Sequence, residues 1–495
     1  PPHCTAARKA AECARRPRAG AAAPGEHHMR RILLKPRWTW CPQGGLRENH
    51  AVLVGGDGAI LDVLADAAGV DAERVDLPES LLLPGLINLH NHAVSAPLFR
   101  GLADDIAPGD LPGHIVFSLL MPIGDLAAET MTPEEIGDVA EMALLEGLRC
   151  GTTTVLDVFR LQQAPFIDRA RGLGLRSYSC PYLFSTPGFD MAAAGTPLYR
   201  PEGSADPGLD AIVALFDRHD EGPRGRTRIG FGPHGPDSCT PDLLRRVDAK
   251  ARELGTIVSI HAAQNLHEVE LVRQRHGTGS FAHLRDLGLL REGVVLAHAM
   301  YATDEEMEMA RVGGAAIASC PLAFARSGRF VPLARFEASG VRLGIGTDGV
   351  TLDMVQEIRT ASIFAKVQSG TAHGLSAERV LRAATRDAAL ALGRTDLGVI
   401  APDARADLVA VDLGSSRYQP VWDPLKALLT NGAASDLSLA MVEGRVLLRD
   451  GRVTVADAAA VTRRGARVVE RVWQEALRRG RIPRSVAERA GRIAP

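Results

Sequence analysis

Two histidines one residue apart, His90 and His92, close the apolar segment 81–89. In an extended chain, residues i and i+2 project to the same side. Both imidazoles can therefore reach one ion. A lone His-x-His pair arises easily by chance, so its weight depends on further donors at the ends of other strands. The sequence supplies them: later apolar, strand-like runs end in His234, His261, His298 and Asp348. Imidazoles with a carboxylate suit Zn²⁺, Fe²⁺ or Mn²⁺. An ion with an open position holds water and lowers its pKa towards ~7. Asp348 can bind the ion and also accept the water's proton, which makes it the candidate general base. No lysine ends the third or fourth run to offer a bridging carbamate, so one divalent ion is expected, Zn²⁺ first.

Elements able to gather these residues are readable from the pattern. After the first run come strand candidates at 152–158, 176–184, 228–234, 256–261, 294–298, 315–320 and 341–348, separated by helical patterns. Strands alternating with helices imply an α/β fold with parallel strands. Eight such units over roughly 300 residues point to a (β/α)8 TIM-type barrel, whose active site lies at the C-terminal ends of its strands. Thr132-Pro133-Glu134-Glu135 has the form of a helix start: a capping residue, proline at the first helical position, then acids at the positive end of the dipole. A closing helix is expected over 376–392.

Hairpin-like strands occupy both ends of the chain, with turns at Gly55-Gly56-Asp57-Gly58 and Asp450-Gly451. Neither set can bury its apolar face alone. The expected organisation is a small β-sandwich built from 29–82 and 400–455, a barrel over 83–399 inserted between its halves, and an Arg-rich helical extension at 456–495 with a solvated charged face. Residues 1–28, rich in Ala, Arg and Pro, are expected to be a disordered or non-native tail ahead of Met29.

The net charge of −2 gives no reason to expect nucleic acid or an anionic membrane as partner. No apolar run approaches the ~20 residues that span a bilayer. Seven scattered cysteines without a CxxC pair fit reduced thiols and a cytoplasmic setting. The expected partner is a small-molecule substrate, in a homo-oligomer, a dimer.

The motifs themselves resemble a known family. Leu83-Pro84-Gly85-Leu86-Ile87-Asn88-Leu89-His90-Asn91-His92 and Leu98-Phe99-Arg100-Gly101-Leu102-Ala103-Asp104-Asp105 resemble the opening of the amidohydrolase superfamily, in the branch of triazine hydrolases, chlorohydrolases and S-adenosylhomocysteine deaminases. Gly151-Thr152-Thr153-Thr154, Gly232-Pro233-His234, Leu296-Ala297-His298, Ser319-Cys320-Pro321, Gly346-Thr347-Asp348-Gly349 and Ala406-Asp407-Leu408-Val409 extend the match over about residues 30–455. The resemblance implies a metal-dependent hydrolase of C–N bonds, deaminating an N-heterocycle or related small molecule. It implies His90, His92, His261 and Asp348 as ligands, His298 beside the activated water, and His234 in contact with substrate.

One position departs from the family pattern. Deaminases of this group carry Glu three residues after the fifth-strand histidine; here the segment is His261-Ala262-Ala263-Gln264. A carboxamide bears no titratable proton near neutral pH. Gln264 then orients a substrate carbonyl while His298 or Asp348 carries the proton, or Glu268 serves instead, or the leaving group needs little protonation. Glu268 reads most simply as a surface helix acid. The same segment resembles imidazolonepropionases, which open a cyclic amide; C–halogen hydrolysis is a further alternative in this fold. A catalytically inactive metal-binding scaffold is the alternative of another class. Arg100, with Asp104 and Asp105, is a candidate for shaping the substrate loop or for surface ion pairing. Glu357 reads as a helix N-terminal acid, Cys320 as a small buried residue, and His283 and His373 as surface residues. The apolar stretch 115–121 reads as a lid or a subunit contact.

Overall fold

The computed structural model describes residues 30–101, 104, 115–159, 163–186, 190–191, 197–198, 206–480, 486 and 488. The expected tail at 1–28, Asp105 and the end of the chain beyond 488 lie outside the described residues.

Segments 32–84 and 408–453 meet in one sheet. Strands Ile32–Cys41, Ala51–Val54 and Glu73–Pro84 from one end join Leu408–Asp412, Leu437–Val442 and Arg445–Arg449 from the other in one continuous nine-stranded sheet. The seam is the antiparallel pairing of Leu82 with Ala410. Leu34, Val52 and Val75 share a buried cluster with Leu408, Ala410 and Met441, so each half covers the apolar face of the other.

The apolar run expected as one strand from residue 81 is two. Residues up to Pro84 finish the long strand Glu73–Pro84 of the nine-stranded sheet, and the first parallel strand is Leu86–Asn91. The change of partner falls at Gly85. Its N–H donates to the Asp407 carbonyl at 2.8 Å, and a Cβ there would lie 2.1 Å from Thr153 Oγ1.

The middle of the chain is α/β with parallel strands. Leu86–Asn91, Thr152–Phe159, Arg176–Leu183 and Thr227–Ile229 with Gly232–Pro233 form one sheet; Val258–Ala262, Val294–His298, Ala316–Ser319 and Arg342–Ile345 form another. Isolated parallel bridges join them at Phe231 with Val258 and at Asn91 with Asp348, so the last strand position meets the first. Ile87, Leu89, Leu156, Val158 and Tyr178 of one sheet pack in a single cluster with Val295, Ala316 and Ala318 of the other.

The helix expected at Thr132 forms over Pro133–Arg149, with the capping box complete: Thr132 Oγ1 accepts from Glu135 N at 3.2 Å and Glu135 Oε2 from Thr132 N at 2.8 Å. The apolar stretch 115–121 is helical, leading into Met121–Thr130. The closing helix runs from Ala377 to Ala391 through a π-turn at Ala383–Asp387.

The terminal helix Ala458–Arg479 exposes Arg463, Arg467 and Arg478 but turns other charges to a neighbour. Arg464 pairs with Asp138 and Glu141, and Arg471 with Glu135, all on or at the start of helix Pro133–Arg149. Trp473 is buried and donates from Nε1 to the Leu98 carbonyl at 2.7 Å, tying this helix to the segment that follows His92. Arg176, wholly buried, makes a two-pronged ion pair with Asp407 at 2.9 and 3.2 Å, linking the third parallel strand to the end sheet. Among the described residues, no helix is long and apolar enough to cross a membrane.

Candidate active site

The first strand ends where the eighth does, and backbone bonds hold them in step. The His90 carbonyl accepts from both Thr347 N and Asp348 N at 3.0 Å. Asn88 Oδ1 accepts from Thr347 N at 3.1 Å while its Nδ2 donates to Thr347 Oγ1 at 2.8 Å. At the second strand, Asp157 Oδ1 accepts from Asn91 Nδ2 at 3.0 Å and from Ala93 N at 2.6 Å. His92 is thus flanked by two anchored residues. Burial pushes the Asp157 carboxyl up to about 6, against these hydrogen bonds.

On this frame the imidazoles converge. The ring of His90 lies 4.8 Å from that of His92, 5.0 Å from His261 and 4.9 Å from His298. One ligand atom from each of His90, His261 and His298 falls within 4.8 Å of the others, and so does one from each of His90, His92 and Asp348. His92 Nε2 stands 3.1 Å from Asp348 Oδ1, and His298 Nε2 stands 3.8 Å from Asp348 Oδ2. The expected residues His90, His92, His261, His298 and Asp348 are therefore brought together.

Two rings have a fixed donor at Nδ1. A carbonyl oxygen can only accept, so the 2.8 Å contact of His261 Nδ1 with the His234 carbonyl is an N–H donation, leaving a lone pair on Nε2. His92 Nδ1 donates in the same way to the Val158 carbonyl, and its Nε2 faces Asp348. A ring nitrogen tethered to a carbonyl while the other points into a donor cluster is the usual arrangement of a metal-binding histidine. Both ring nitrogens of His90 are buried without a hydrogen-bond partner among the described residues. Buried polar atoms are seldom left so; a divalent ion would satisfy one of them, and the imidazole–carboxylate set fits such an ion.

The electrostatics set three imidazoles disfavoured from charging, and one favoured to charge, around a single anion. Burial, then the neighbouring imidazoles, hold His90 and His261 well below the ordinary histidine value. Burial brings His298 down to about 4, against the pull of Asp348. Burial also opposes charge on His92, but its hydrogen bond to Asp348 and that carboxylate's charge raise it. Burial opposes ionisation of Asp348, yet the His92 hydrogen bond and the charges of His298, His92 and His90 keep it well below the carboxylate range. His298 and Asp348 also sit at φ 79° and 58°, a left-handed conformation uncommon for residues other than glycine and concentrated at functional sites.

His234 comes to the rim of this cluster, its ring 5.0 Å from His261 and stacked on Phe184 at 4.7 Å, with Nδ1 on Ser238 Oγ at 2.8 Å. Gln264 is half-buried, its backbone N–H on Glu268 Oε2 at 2.7 Å, its carboxamide making no hydrogen bond to a described residue. Arg100 is not brought into the cluster: its guanidinium pairs with Glu146, which accepts from Thr351 Oγ1 at 3.0 Å beyond Asp348. Asp104 pairs with Arg326.

One acid and one histidine, Glu268 and His283, differ from their sequence reading. Glu268 is no surface acid. It is wholly buried, accepting from Ala263 N and Ser280 Oγ at 2.8 Å and from Gln264 N, and burial raises it to about 8. Glu357 stands in the first turn of helix Met354–Ser369, as expected; it is wholly buried, accepts from Leu322 N at 3.0 Å and is raised by burial. His283 is buried and stacked on His276 at 3.9 Å. Asp157 was visible only as an acid inside a β-branched run. Tyr182 was missed as well: it lies one strand period beyond Cys180, and its ring is 6.0 Å from His92 and 5.8 Å from His261.

An α/β chain that gathers histidines and a carboxylate at the ends of successive parallel strands defines a class of metal-site hydrolase, and comparison with known proteins agrees. The model of the amidohydrolase family matches residues 81–447, and the chain belongs to that family. It is a hydrolase acting on carbon–nitrogen bonds other than peptide bonds. A 5-methylthioadenosine/S-adenosylhomocysteine deaminase of Nitratidesulfovibrio vulgaris is 33% identical over 413 residues, covering 81% of this chain and 88% of its own. A 5'-deoxyadenosine deaminase of Methanosarcina barkeri is 28% identical, covering 87% and 95%. Among solved structures, an adenosine deaminase from Xanthomonas campestris with bound zinc superposes with a TM-score of 0.80 at 27% identity, over 90% of this chain and 98% of its own. The zinc complex of an atrazine chlorohydrolase from Arthrobacter aurescens gives 0.79 at 24% identity over 88% and 100%, a likeness of fold.

Proposed function

We propose that this chain deaminates an N-heterocyclic small molecule hydrolytically, at a single divalent ion, Zn²⁺ first, in a (β/α)8 barrel that carries a small β-sandwich made by its two ends. The observation that carries the reading is the pair of overlapping donor groups on His90, with His92 and His261 each tethered through Nδ1 to a backbone carbonyl. Those tethers favour His92 and His261 as ligands with His90 and Asp348. His298, whose Nδ1 has no partner among the described residues, is left to hydrogen-bond water or substrate. When bound, a divalent ion supplies acidity to a coordinated water. Asp348 divides its work between two oxygens. Oδ1, facing His92 and accepting from Gly349 N at 2.7 Å, is the ligand; Oδ2, facing His298, takes the proton from water. His234 stacks at the rim to meet a planar ring, and Gln264 orients a substrate carbonyl or ring nitrogen. The deaminase names of the relatives support the C–N reading. The buried, unpaired thiols of Cys41, Cys150, Cys180, Cys239 and Cys320 support a cytoplasmic setting. Exposed Ile363, Val367 and Phe330 support a homodimer.

The test is a screen of metal-loaded protein against heteroaromatic amines, cyclic amides and chlorinated triazines, following ammonia, ring opening and halide, beside Asp348→Ala. Ammonia release that vanishes in Asp348→Ala with about one equivalent of metal in the wild type is expected. Protein that retains no divalent metal after reconstitution, or turns over only the amides or chlorides, refutes the proposal.

A further inference from the structure

With Gln264 in place, position 264 has no carboxyl to protonate the leaving amine, and the oxygens of Glu268 are taken up by Ala263 N, Gln264 N and Ser280 Oγ; one protic side chain at the mouth remains without a role. Tyr178 and Cys180, on strand Arg176–Leu183, are buried in the interior cluster with Val158 and Val295, and Tyr182 packs against the same cluster only partly buried. Side chains two apart share a face of a strand, so Tyr182 is the last interior residue of the third strand, at the end where the histidines meet. Its hydroxyl lies 3.5 Å from His261 Nε2 and 3.5 Å from His92 Nδ1. The His92 Nδ1–H is committed to the Val158 carbonyl, so that contact marks position only. The other contact is to the lone pair of His261 Nε2, since Nδ1–H of that ring donates to the His234 carbonyl. Once that lone pair serves as a ligand, the phenolic proton has to point elsewhere. Among the other described groups at the cluster, Thr347 and Ser238 hydroxyls are bonded to Asn88 and His234.

We propose that Tyr182 is a catalytic residue that protonates the leaving amine. The inference rests on the deamination reading above. In the step, water adds to the amine-bearing carbon, Asp348 takes one of its protons, and that proton passes to the ring nitrogen. The C–N bond then breaks with its electron pair on nitrogen. The Tyr182 O–H proton goes to that nitrogen, and ammonia leaves. The tyrosinate recovers a proton from the hydroxyl on carbon as that oxygen becomes the product carbonyl. Water enters, ammonia leaves, and no redox partner is needed. A phenol is a competent donor because it keeps its proton at neutral pH.

Tyr182→Phe in the metal-loaded full chain tests this with two ring-matched substrates, a heteroaromatic amine and its chloride, because a leaving chloride needs no proton. Ammonia release is expected to fall about 10²–10⁴-fold in kcat at unchanged KM, while halide release, metal content and metal affinity stay at wild-type values. Independently of turnover, zinc loading should perturb the near-ultraviolet tyrosine absorbance of the wild type, and Tyr182→Phe should lack that change. Equal loss on both substrates, loss on neither, or loss of metal overturns the role of Tyr182 alone. A wild-type chain that releases halide but no ammonia overturns the deamination reading instead, and the proposal with it.

Discussion

Replacing Gly346 by alanine drives the eighth parallel strand off the first at the point where they bring His90 and Asp348 together. A Cβ on residue 346 would stand 2.7 Å from His90 N and 2.8 Å from both His90 Cβ and His90 O. Non-bonded carbon contacts settle at about 3.5 Å or more, so the strands must part by about 0.7 Å. The obstructing atoms are mostly backbone and cannot rotate aside. The His90 carbonyl accepts from Thr347 N and Asp348 N at 3.0 Å, so the same displacement stretches both bonds past useful length. A metal site tolerates ligand errors of only about 0.2 Å. Metal affinity is therefore expected to fall at least about 10–100-fold, the range seen when groups supporting the ligands are lost. Stability should fall by about 1–3 kcal/mol, as for an overpacked core. Chelator-competition titration of metal-stripped protein reads the first, and thermal unfolding the second. Gly172→Ala is the control: that glycine is exposed in helix Gln163–Leu173 with nothing near its absent Cβ, so alanine should stabilise by about 0.4–1 kcal/mol and leave the metal untouched. Wild-type metal affinity in Gly346→Ala would refute the claim that this close approach sets the site.

Asp407→Asn leaves Arg176 buried with half of its pairing lost; unfolding should show a loss of about 3–5 kcal/mol, and a change under 1 kcal/mol would deny the pair its part in joining the sheets. In the metal-free chain His92 is raised beside Asp348 and holds a proton more readily than an ordinary histidine, so metal binding near pH 6.5 should release protons. Calorimetry in buffers of differing ionisation enthalpy reads the release, and zero release contradicts the His92–Asp348 pairing. Glu268, raised to about 8 by burial, keeps its proton in the fold where the unfolded chain has lost it. Its share of stability is thus present at low pH and lost as pH rises through about 8, at about 1.4 kcal/mol per pH unit. Metal-stripped protein should lose stability from pH 6.5 to 8, and Glu268→Gln should flatten that slope. Below pH 6.5 the lowered His90, His261 and His298 act in the opposite sense, because the unfolded chain then binds the extra protons. A melting temperature that climbs between pH 6.5 and 8 would contradict the assignment.

The parts of the site legible in the sequence share one property: they terminate apolar runs. His261, His298 and Asp348 each interrupt a run that has no other reason to stop in an ionisable group, and strand order follows from the alternation of runs with helical patterns. What escaped lies where the pattern carries no mark of its partner. The run 81–89 is apolar on both sides of Gly85, and only the donation from Gly85 N to Asp407, more than 300 residues away, divides it between two sheets. Tyr182 follows Tyr178 and Cys180 on one face of its strand, where a phenol reads as core until the strand is known to end at the mouth.

Glu268 is the most instructive of these. An acid in the first turn of a helix is ordinarily a solvated partner of the dipole, and Asn265, whose Oδ1 accepts from Glu268 N at 2.9 Å, does cap that turn. The carboxyl group nevertheless turns inward to bind the backbone of Ala263 and Gln264, because Ala263, at φ 51°, has left the strand ladder and its N–H has no strand partner there. Position 264 is therefore held by its main chain whatever its side chain. The departure at Gln264 changes the chemistry available at the mouth while leaving its geometry in place. The protonation step must then be sought in a neighbouring side chain, not in a distorted site.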